Sequence, residues 1–300
     1  MRPGDLDAGP IVLDGGLATE LEARGHDLSD ELWSARLLAD APAGIVAAHV
    51  AFFLAGAEVA TTASYQASFP GFAAHGIDRA EAATLLRRSV ELARTAREQV
   101  RDRVADGRRR WVAASAGPYG ALLADGSEYR GRYGLTRREL VAFHRPRLEV
   151  LAEAGPDVLA LETVPDIDEA VALVEALGAV DVPAWLSYTI AGGRTRAGQP
   201  LDEAFAVVAG CEQILAVGVN CCAPDEVAGA VELAREVTGK PVVCYPNSGE
   251  RWDAARRRWT GESRFRTDHV GHWLSAGAAL LGGCCRVGPP DIAALCRAVR

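Results

Sequence analysis

Residues 158–177 read VLALETVPDIDEAVALVEAL and contain one strand and one helix in direct succession. The first part, Val158–Pro165, is almost continuously apolar, as expected for a strand that is buried on both faces of a parallel sheet. Pro165 and Asp166 then form a typical helix start. Apolar residues recur at spacings of three and four up to Leu177, which indicates an amphipathic helix. This stretch therefore predicts a βα unit with a carboxylate, Glu162, near the end of its strand.

The same alternation runs along the whole chain. Eight segments have the pattern of buried strands: Ile11–Gly16, Glu58–Tyr65, Trp111–Pro118, Val158–Pro165, Pro183–Ile190, Ile214–Cys221, Pro241–Gly249 and Ala279–Arg286. Helical periodicity is clearest in Arg79–Arg103, Arg137–Glu153, Ile167–Leu177, Asp225–Val237 and Pro290–Val299. Eight strands with helices between them predict an α/β fold, a (β/α)8 barrel of the TIM type. No long linker interrupts the pattern, so we expect residues 1–300 to form a single domain.

An open, doubly wound sheet is the competing architecture. It would call for a glycine-rich phosphate-binding turn after the first strand, in the form GxGxxG. The sequence at that point is Asp14-Gly15-Gly16-Leu17, which does not have this spacing. The barrel is therefore the better prediction.

Composition excludes several classes of function. The formal net charge is -8, whereas nucleic-acid-binding proteins usually carry a basic surface. No apolar stretch reaches the roughly 20 residues of a membrane span, and the N-terminal MRPGDLDAGP does not resemble a secretory signal. We therefore expect a cytoplasmic protein with small-molecule partners and with reduced cysteines.

Polar residues collect at the predicted carboxyl ends of the strands. In barrel enzymes the active site is built at these ends, so the residues there are candidates for function. They are Asp14, Thr62, Ser64, Glu162, Asn220, Cys221, Asn247, Cys284 and Cys285.

Three of these cysteines, Cys221, Cys284 and Cys285, can form a metal site. Catalytic zinc sites use three protein ligands and keep a fourth position open. Adjacent residues of a strand point to opposite faces, so Cys284 and Cys285 can share an ion only if the strand has ended before them. We expect Gly282 and Gly283 to permit such a turn. Spacing alone leaves a second interpretation open, because buried cysteines often only pack in a core.

The other four cysteines are assigned to packing. We expect Cys211, Cys244 and Cys296 to lie in the core and Cys222 to face away from its neighbour Cys221. The histidines His269 and His272 precede the last strand and are expected on a helix surface rather than at a metal.

Several blocks of the sequence resemble those of the homocysteine S-methyltransferases, in particular the branch that uses S-methylmethionine or S-adenosylmethionine. The blocks include DGGLATEL from Asp14, TTASYQAS from Thr61, LETVPD from Leu161, GVNCC from Gly218 and LGGCCR from Leu281. The resemblance covers nearly the whole chain and implies a βα barrel with one zinc ion. Its ligands would be Cys221, Cys284 and Cys285, which are then the candidate catalytic residues through the metal.

The resemblance also implies contacts with the amino-acid substrate. These fall on Asp14, Gly15, Thr62 and Glu162, and we add Asn220 because it ends the sixth strand beside Cys221. The implied partners are homocysteine and a sulfonium methyl donor, with methionine as the product.

One departure bears on the donor. Betaine-using relatives have a tyrosine where this chain has Gln66, so betaine is a poor donor candidate. The sequence leaves three alternatives open: a selenocysteine methyltransferase, a zinc-binding barrel without turnover, and an equivalent of the homocysteine domain of cobalamin-dependent methionine synthases.

Overall fold

Eight parallel strands form a closed barrel in the computed structural model, which describes residues 1–28, 32, 35–104, 106–253 and 258–300. The strands are β1 (Ile11–Val12), β2 (Val59–Thr61), β3 (Trp111–Ala116), β4 (Val158–Val164), β5 (Ala184–Tyr188), β6 (Ile214–Asn220), β7 (Val242–Tyr245) and β8 (Ala278–Leu281). Each strand pairs with the next along the chain, β8 pairs with β1, and a parallel bridge between Leu13 and Val59 joins β1 to β2. The predicted α/β barrel is confirmed.

A helix follows each strand on the outside of the barrel. These helices are α1 (Pro42–Ala55), α2 (Arg79–Arg103), α3 (Arg137–Glu153), α4 (Ile167–Leu177), α5 (Leu201–Ala206), α6 (Val227–Thr238), α7 (Thr267–Ala276) and α8 (Pro289–Val299). Shorter α-helices span Leu17–Ala23, Leu37–Asp40, Phe69–Ala74 and Gly120–Leu123, and 3-10 turns span Pro3–Asp5, Ser127–Tyr129 and Pro224–Glu226. Two antiparallel hairpins pair Ile190–Ala191 with Arg194–Thr195 and Arg251–Asp253 with Arg258–Thr260.

Side-chain caps begin the outer helices α3 and α4, and the cap of α4 is the helix start predicted at Asp166. Asp166 accepts a hydrogen bond from the backbone N–H of Asp168 at the start of α4. Thr136 and Glu139 form a reciprocal capping box at the start of α3. Within the described parts of the chain, no helix combines the length and apolar character that crossing a membrane requires.

Two hydrophobic layers hold the barrel together. Inside it, side chains such as Leu13, Trp111, Trp185 and Leu280 fill the interior, whereas a larger core packs between the strands and the outer helices. Since the interior is filled, the substrate-sized space lies above it, at the carboxyl ends of the strands.

The strands are shorter than the sequence pattern indicated. The apolar segments of β1, β2, β7 and β8 continue for several residues past the last ladder pair, as loops that remain buried. Loop contacts replace the ladder there: Gly283 N–H donates to the carbonyl of Asp14, and Gly282 N–H donates to that of Cys244. All of the candidate residues on these four strands therefore lie in loops just beyond the sheet.

Candidate metal centre and active site

Three thiols converge at the carboxyl end of the barrel. The Sγ atoms of Cys221, Cys284 and Cys285 all lie within 4.8 Å of one another, and those of Cys221 and Cys285 are 4.0 Å apart. A tetrahedral zinc ion with Zn–S bonds of about 2.3 Å requires sulfur atoms about 3.8 Å apart. The three thiols therefore fit one tetrahedral ion, and no other trio of His, Cys, Asp or Glu ligand atoms gathers in this way within the described residues.

The backbone at two strand ends brings the thiols together. Cys221 follows β6 directly and has a left-handed φ of 49°, which is unusual for a residue with a side chain. Cys284 and Cys285 follow β8, where Cys284 N–H donates to the carbonyl of Pro246 and Cys285 N–H donates to Oδ1 of Asn247. The strand has ended at Leu281, so the two adjacent cysteines are free of the alternation that would have separated them.

The two glycines before this pair have a different role from the predicted one. Neither Gly282 nor Gly283 has a left-handed φ; the positive φ values belong to Cys221 and, at 67°, to Arg286. A Cβ on Gly282 would instead lie 2.6 Å from Cβ of Leu13, and one on Gly283 would lie 2.2 Å from the Val287 side chain. The glycines are needed because the chain passes so close to β1 and to its own next turn.

The remaining cysteines lie apart from this cluster, as predicted. Cys222, Cys244 and Cys296 are buried in the hydrophobic core between strands and helices, and Cys211 packs against it. Burial raises the pKa of the Cys222 and Cys244 thiols above the ordinary range, so these side chains stay protonated and unreactive.

The clustered thiols share their protons unequally. Hydrogen bonds from Cys221 and Cys284 hold the pKa of Cys285 well below its usual range. The pKa of Cys284 is raised because its thiol donates to Cys221 and Cys285. The hydroxyl of Tyr129 also donates toward Sγ of Cys221, at 3.8 Å. The cluster therefore favours one thiolate, Cys285, with the other sulfur atoms as its donors.

Two carboxylates stand in the same pocket. Asp14 accepts hydrogen bonds from the backbone N–H and from the hydroxyl of Thr61, at 2.7 and 2.8 Å. Burial raises the pKa of Asp14 to about 8, and repulsion from Glu162 adds to the shift. Glu162 accepts a hydrogen bond from Ser115, and burial raises its pKa to about 7. Both side chains would ionise more readily beside a positively charged ligand.

Thr62 and Asn220 have polar atoms that are already engaged. The Thr62 hydroxyl accepts from Ser115 N–H at 3.0 Å and shares a hydrogen bond with Ser64 at 2.7 Å. Asn220 is fully buried; its Oδ1 accepts from Thr163 N–H at 2.7 Å, and its Nδ2 donates to the Thr163 hydroxyl at 2.8 Å. These bonds hold Thr163 in a left-handed φ of 60°, directly after Glu162. The structure thus places Asn220 behind the pocket, where it orients the residue next to Glu162.

Most of the candidate residues line one pocket of about 800 Å³, a volume that includes its opening to solvent. Asp14, Gly15, Thr62, Glu162 and the three clustered cysteines belong to its wall, together with Thr61, Tyr65, Gln66, Ser115, Glu128, Tyr129 and Tyr245. Gly15 has no space for a side chain, since a Cβ there would lie 2.3 Å from the carbonyl oxygen of Val287. The wall carries acidic groups, and none of its described residues is a lysine, an arginine or a histidine.

Glu128, Tyr129 and Tyr245 were not among the predicted site residues. Glu128 and Tyr129 lie in the long connection from Tyr119 to Arg132, and the contact of Tyr129 with Cys221 places this connection over the mouth of the barrel. The segment GSEYRG, Gly126–Gly131, within this connection was the available sequence signal for Glu128 and Tyr129.

A buried glutamate fixes both ends of this connection. Oε1 of Glu169 accepts from the backbone N–H of Tyr119 at 2.5 Å and contacts Nε2 of His144 at 3.0 Å. Its Oε2 accepts from the Tyr133 hydroxyl at 3.2 Å. The loop that carries Glu128 and Tyr129 is therefore anchored to the rigid helices α3 and α4.

Comparison with known proteins identifies the family. A family model described as homocysteine S-methyltransferase matches residues 11–299. The chain belongs to the homocysteine S-methyltransferase family.

Individual members of this family are similar over almost their full length. A homocysteine S-methyltransferase from Escherichia coli is 47% identical, over 95% of this chain and 94% of its own. A selenocysteine Se-methyltransferase from Brassica oleracea is 44% identical, over 96% of this chain and 88% of its own. The solved structure of a homocysteine methyltransferase from Escherichia coli in its metallated form has a TM-score of 0.89 at 45% identity, and covers 98% of this chain and 99% of that one.

Proposed function

We propose that this member of the homocysteine S-methyltransferase family transfers a methyl group from a sulfonium donor to the thiol of homocysteine, giving methionine. Cys221, Cys284 and Cys285 would hold the zinc ion that the reaction requires. One observation carries the proposal: three thiols with Sγ atoms within 4.8 Å of one another stand in a pocket whose wall holds carboxylates and no cationic side chain among the described residues.

The donor set suits zinc in particular. Three sulfur ligands at one corner of an otherwise oxygen-lined pocket favour a thiophilic ion over magnesium or calcium, which prefer oxygen. When bound, zinc with three protein ligands supplies an open fourth position at which a substrate thiol loses its proton near neutral pH. We place the reaction in the cytoplasm, where unpaired thiols of this kind stay reduced.

The acidic groups bind the amino-acid end of the acceptor. Asp14 and Glu162 line the pocket, and their raised pKa values show that their ionised forms are disfavoured there. The α-ammonium of homocysteine would stabilise both carboxylates in the ionised form. Thr61 and Ser115 hold these two carboxylates in place, so little ordering remains to be done when the substrate arrives.

Methyl transfer then depends on alignment. The thiolate sulfur of homocysteine forms a bond with the methyl carbon while the bond from that carbon to the donor sulfur breaks, and its electron pair stays on the departing thioether. No protein base is needed once the thiol is ionised. The largely buried walls, including Tyr65, Tyr129 and Tyr245, exclude water and restrict the direction of approach, which is where much of the acceleration arises.

An assay with homocysteine and each sulfonium in turn tests this function. Methionine formation is expected with S-methylmethionine or S-adenosylmethionine, to be lost after chelation and to return with zinc, at a metal content of about one ion per chain. Full activity after complete removal of the metal would contradict the proposal. Zinc binding without any methionine from either donor would instead support a barrel without turnover.

One comparison favours selenocysteine as a second candidate for the methyl acceptor. The selenocysteine Se-methyltransferase from Brassica oleracea is 44% identical over 96% of this chain, and a selenolate would undergo the same methyl transfer as a thiolate. Competition between homocysteine and selenocysteine at equal concentration separates the two, since the preferred acceptor has the higher kcat/KM.

A further inference from the structure

Two buried acceptor atoms in the pocket wall have no hydrogen-bond partner among the described residues. They are Oε1 of Gln66 and Oε2 of Glu128, and both residues line the pocket that contains the thiols. Gln66 is only 7% exposed. A buried polar atom without a partner costs about 1–3 kcal/mol, so unpaired acceptors of this kind are rare unless they serve a ligand.

The position of both residues is set by rigid contacts. Glu128 directly precedes Tyr129, whose hydroxyl is 3.8 Å from Sγ of Cys221. A Cβ on Gly120 would lie 2.4 Å from Glu128 N, so the backbone at Glu128 packs tightly against the start of its own loop. Gln66 follows Tyr65, whose ring lies 2.6 Å from a Cβ placed on Gly117. The backbone of Glu128 and the residue before Gln66 are thus closely packed, and both side chains line the pocket that holds the three thiols.

The unpaired oxygens of Gln66 and Glu128 are distinct from the carboxylates of Asp14 and Glu162, which we assign to homocysteine. Asp14 is bonded to Thr61 and Glu162 to Ser115, whereas the Gln66 and Glu128 oxygens are unengaged. Both oxygens carry partial or full negative charge, and the carboxylate of Glu128 in particular attracts a positively charged partner, whether or not that partner can donate a hydrogen bond. The reaction has a second positively charged participant, the methyl donor.

Resting on the methyl transfer proposed above, we propose that Gln66 and Glu128 form the subsite for the cationic sulfonium donor and select it over neutral thioethers. The attraction changes during the reaction. The donor enters with a positive sulfur and leaves as a neutral thioether, so the charge that Glu128 attracts is lost as the methyl group moves. The pair therefore binds the donor more strongly than the transition state or the product. Removing it should raise the donor KM without lowering kcat, and it should leave the homocysteine KM unchanged.

Two substitutions and one matched control test the subsite in the zinc-loaded protein. Glu128→Gln removes the charge at nearly constant shape, and Gln66→Met removes the amide oxygen. Asp125→Asn serves as the control because Asp125 lies in the same loop but is exposed and paired with Arg130. S-methylmethionine is the probe, with its KM measured at saturating homocysteine and its Kd measured by calorimetry.

Glu128→Gln is expected to raise the donor KM and Kd about 10- to 100-fold, which is within the range for losing the attraction between opposite unit charges about 4 Å apart at a partly buried site. Gln66→Met removes only a dipole and should raise them up to about tenfold. Homocysteine KM should stay within about twofold, and Asp125→Asn should match the unchanged protein. Donor KM and Kd that stay unchanged in both Glu128→Gln and Gln66→Met would overturn the subsite and leave the two oxygens merely hydrated.

Measuring donor binding by calorimetry distinguishes failure of the donor subsite from failure of the proposed methyl transfer, on which the subsite rests. If the unchanged protein makes no methionine, the proposed function fails, whereas binding of S-methylmethionine that Glu128→Gln weakens still supports a cation subsite. Thermal unfolding of each variant is the folding control. Glu128→Gln should unfold no earlier than the unchanged protein, because burial disfavours the charged carboxylate and its Oε2 has no hydrogen-bond partner to lose.

Discussion

Glu162→Gln is expected to stabilise the folded, metal-free protein while it impairs the binding of homocysteine. Burial raises the pKa of Glu162 from 4.5 to about 7, so the folded chain holds this proton more tightly than the unfolded chain does. Stability is therefore lost as the pH rises from about 4.5 to about 7, and the loss is complete above that range. At about 1.4 kcal/mol for each pKa unit, the ionised carboxylate costs about 3 kcal/mol at pH 8.

Urea unfolding at two pH values measures this effect. At pH 8 the Glu162→Gln protein should be more stable than the unchanged protein by about 3 kcal/mol, and at pH 4.5 the difference should shrink to well below 1 kcal/mol. The amide oxygen can still accept the hydrogen bond from Ser115, so this contact is kept in the variant. The KM for homocysteine should rise at least tenfold, because the α-ammonium loses one of its two carboxylates.

Glu169→Gln is the matched control, since Glu169 is equally buried but has its carboxylate bonded to Tyr119 N–H, His144 and the Tyr133 hydroxyl. An amide cannot satisfy donors on both sides, so this variant should be destabilised by about 2–4 kcal/mol. If Glu162→Gln were destabilised at pH 8 to a similar extent, the reasoning from burial would be refuted.

Three further substitutions test the site and the barrel. Cys284→Ala should lose bound zinc, measured by metal analysis, together with methyl transfer, while Cys296→Ala should keep both; full zinc content in the first variant would end the assignment. Gly218→Ala should lower the free energy of unfolding by several kcal/mol or prevent folding, since its Cβ would lie 1.9 Å from a carbonyl oxygen of β7, and wild-type stability would contradict the close packing. Tyr129→Phe removes the hydroxyl that lies 3.8 Å from Sγ of Cys221. It should lower kcat/KM about 2- to 10-fold and leave the zinc content unchanged. A loss of zinc would instead show that Tyr129 supports the metal site structurally.

Most of the barrel could be predicted because its signals are local. Seven of the eight apolar segments contain the observed strand, and the eighth, Ala279–Arg286, begins one residue after the start of β8. Helices α2, α3 and α4 have the bounds that their periodicity indicated. The strand ends were less well predicted, because buried loops beyond β1 and β8 are as apolar as the strands themselves. Sequence pattern reports burial, and burial continues past the last ladder hydrogen bond.

The metal cluster was predicted as a set of residues but not as a geometry. That Cys221, Cys284 and Cys285 meet followed from strand ends and family blocks, whereas the left-handed turn at Cys221 did not, because nothing in its residue type favours a positive φ. Gly282 and Gly283 were expected to turn the chain and instead provide space against Leu13 and Val287. A glycine signals either need, and only its neighbours in space decide between them.

The amino-acid sequence by itself determined the order of strands and helices, and hence the barrel, because hydrophobic periodicity and helix caps act between residues that are near in the chain. It also determined which thiols stand at strand ends. Only the tertiary structure decided that Asp14 and Glu162 have raised pKa values. It also decided that Asn220 supports Thr163 from behind the pocket. The same holds for the unpaired oxygens of Gln66 and Glu128 in the pocket that contains the thiols. Desolvation and hydrogen-bond partnership depend on atoms far apart in sequence, and they take a value only when the chain has closed around them.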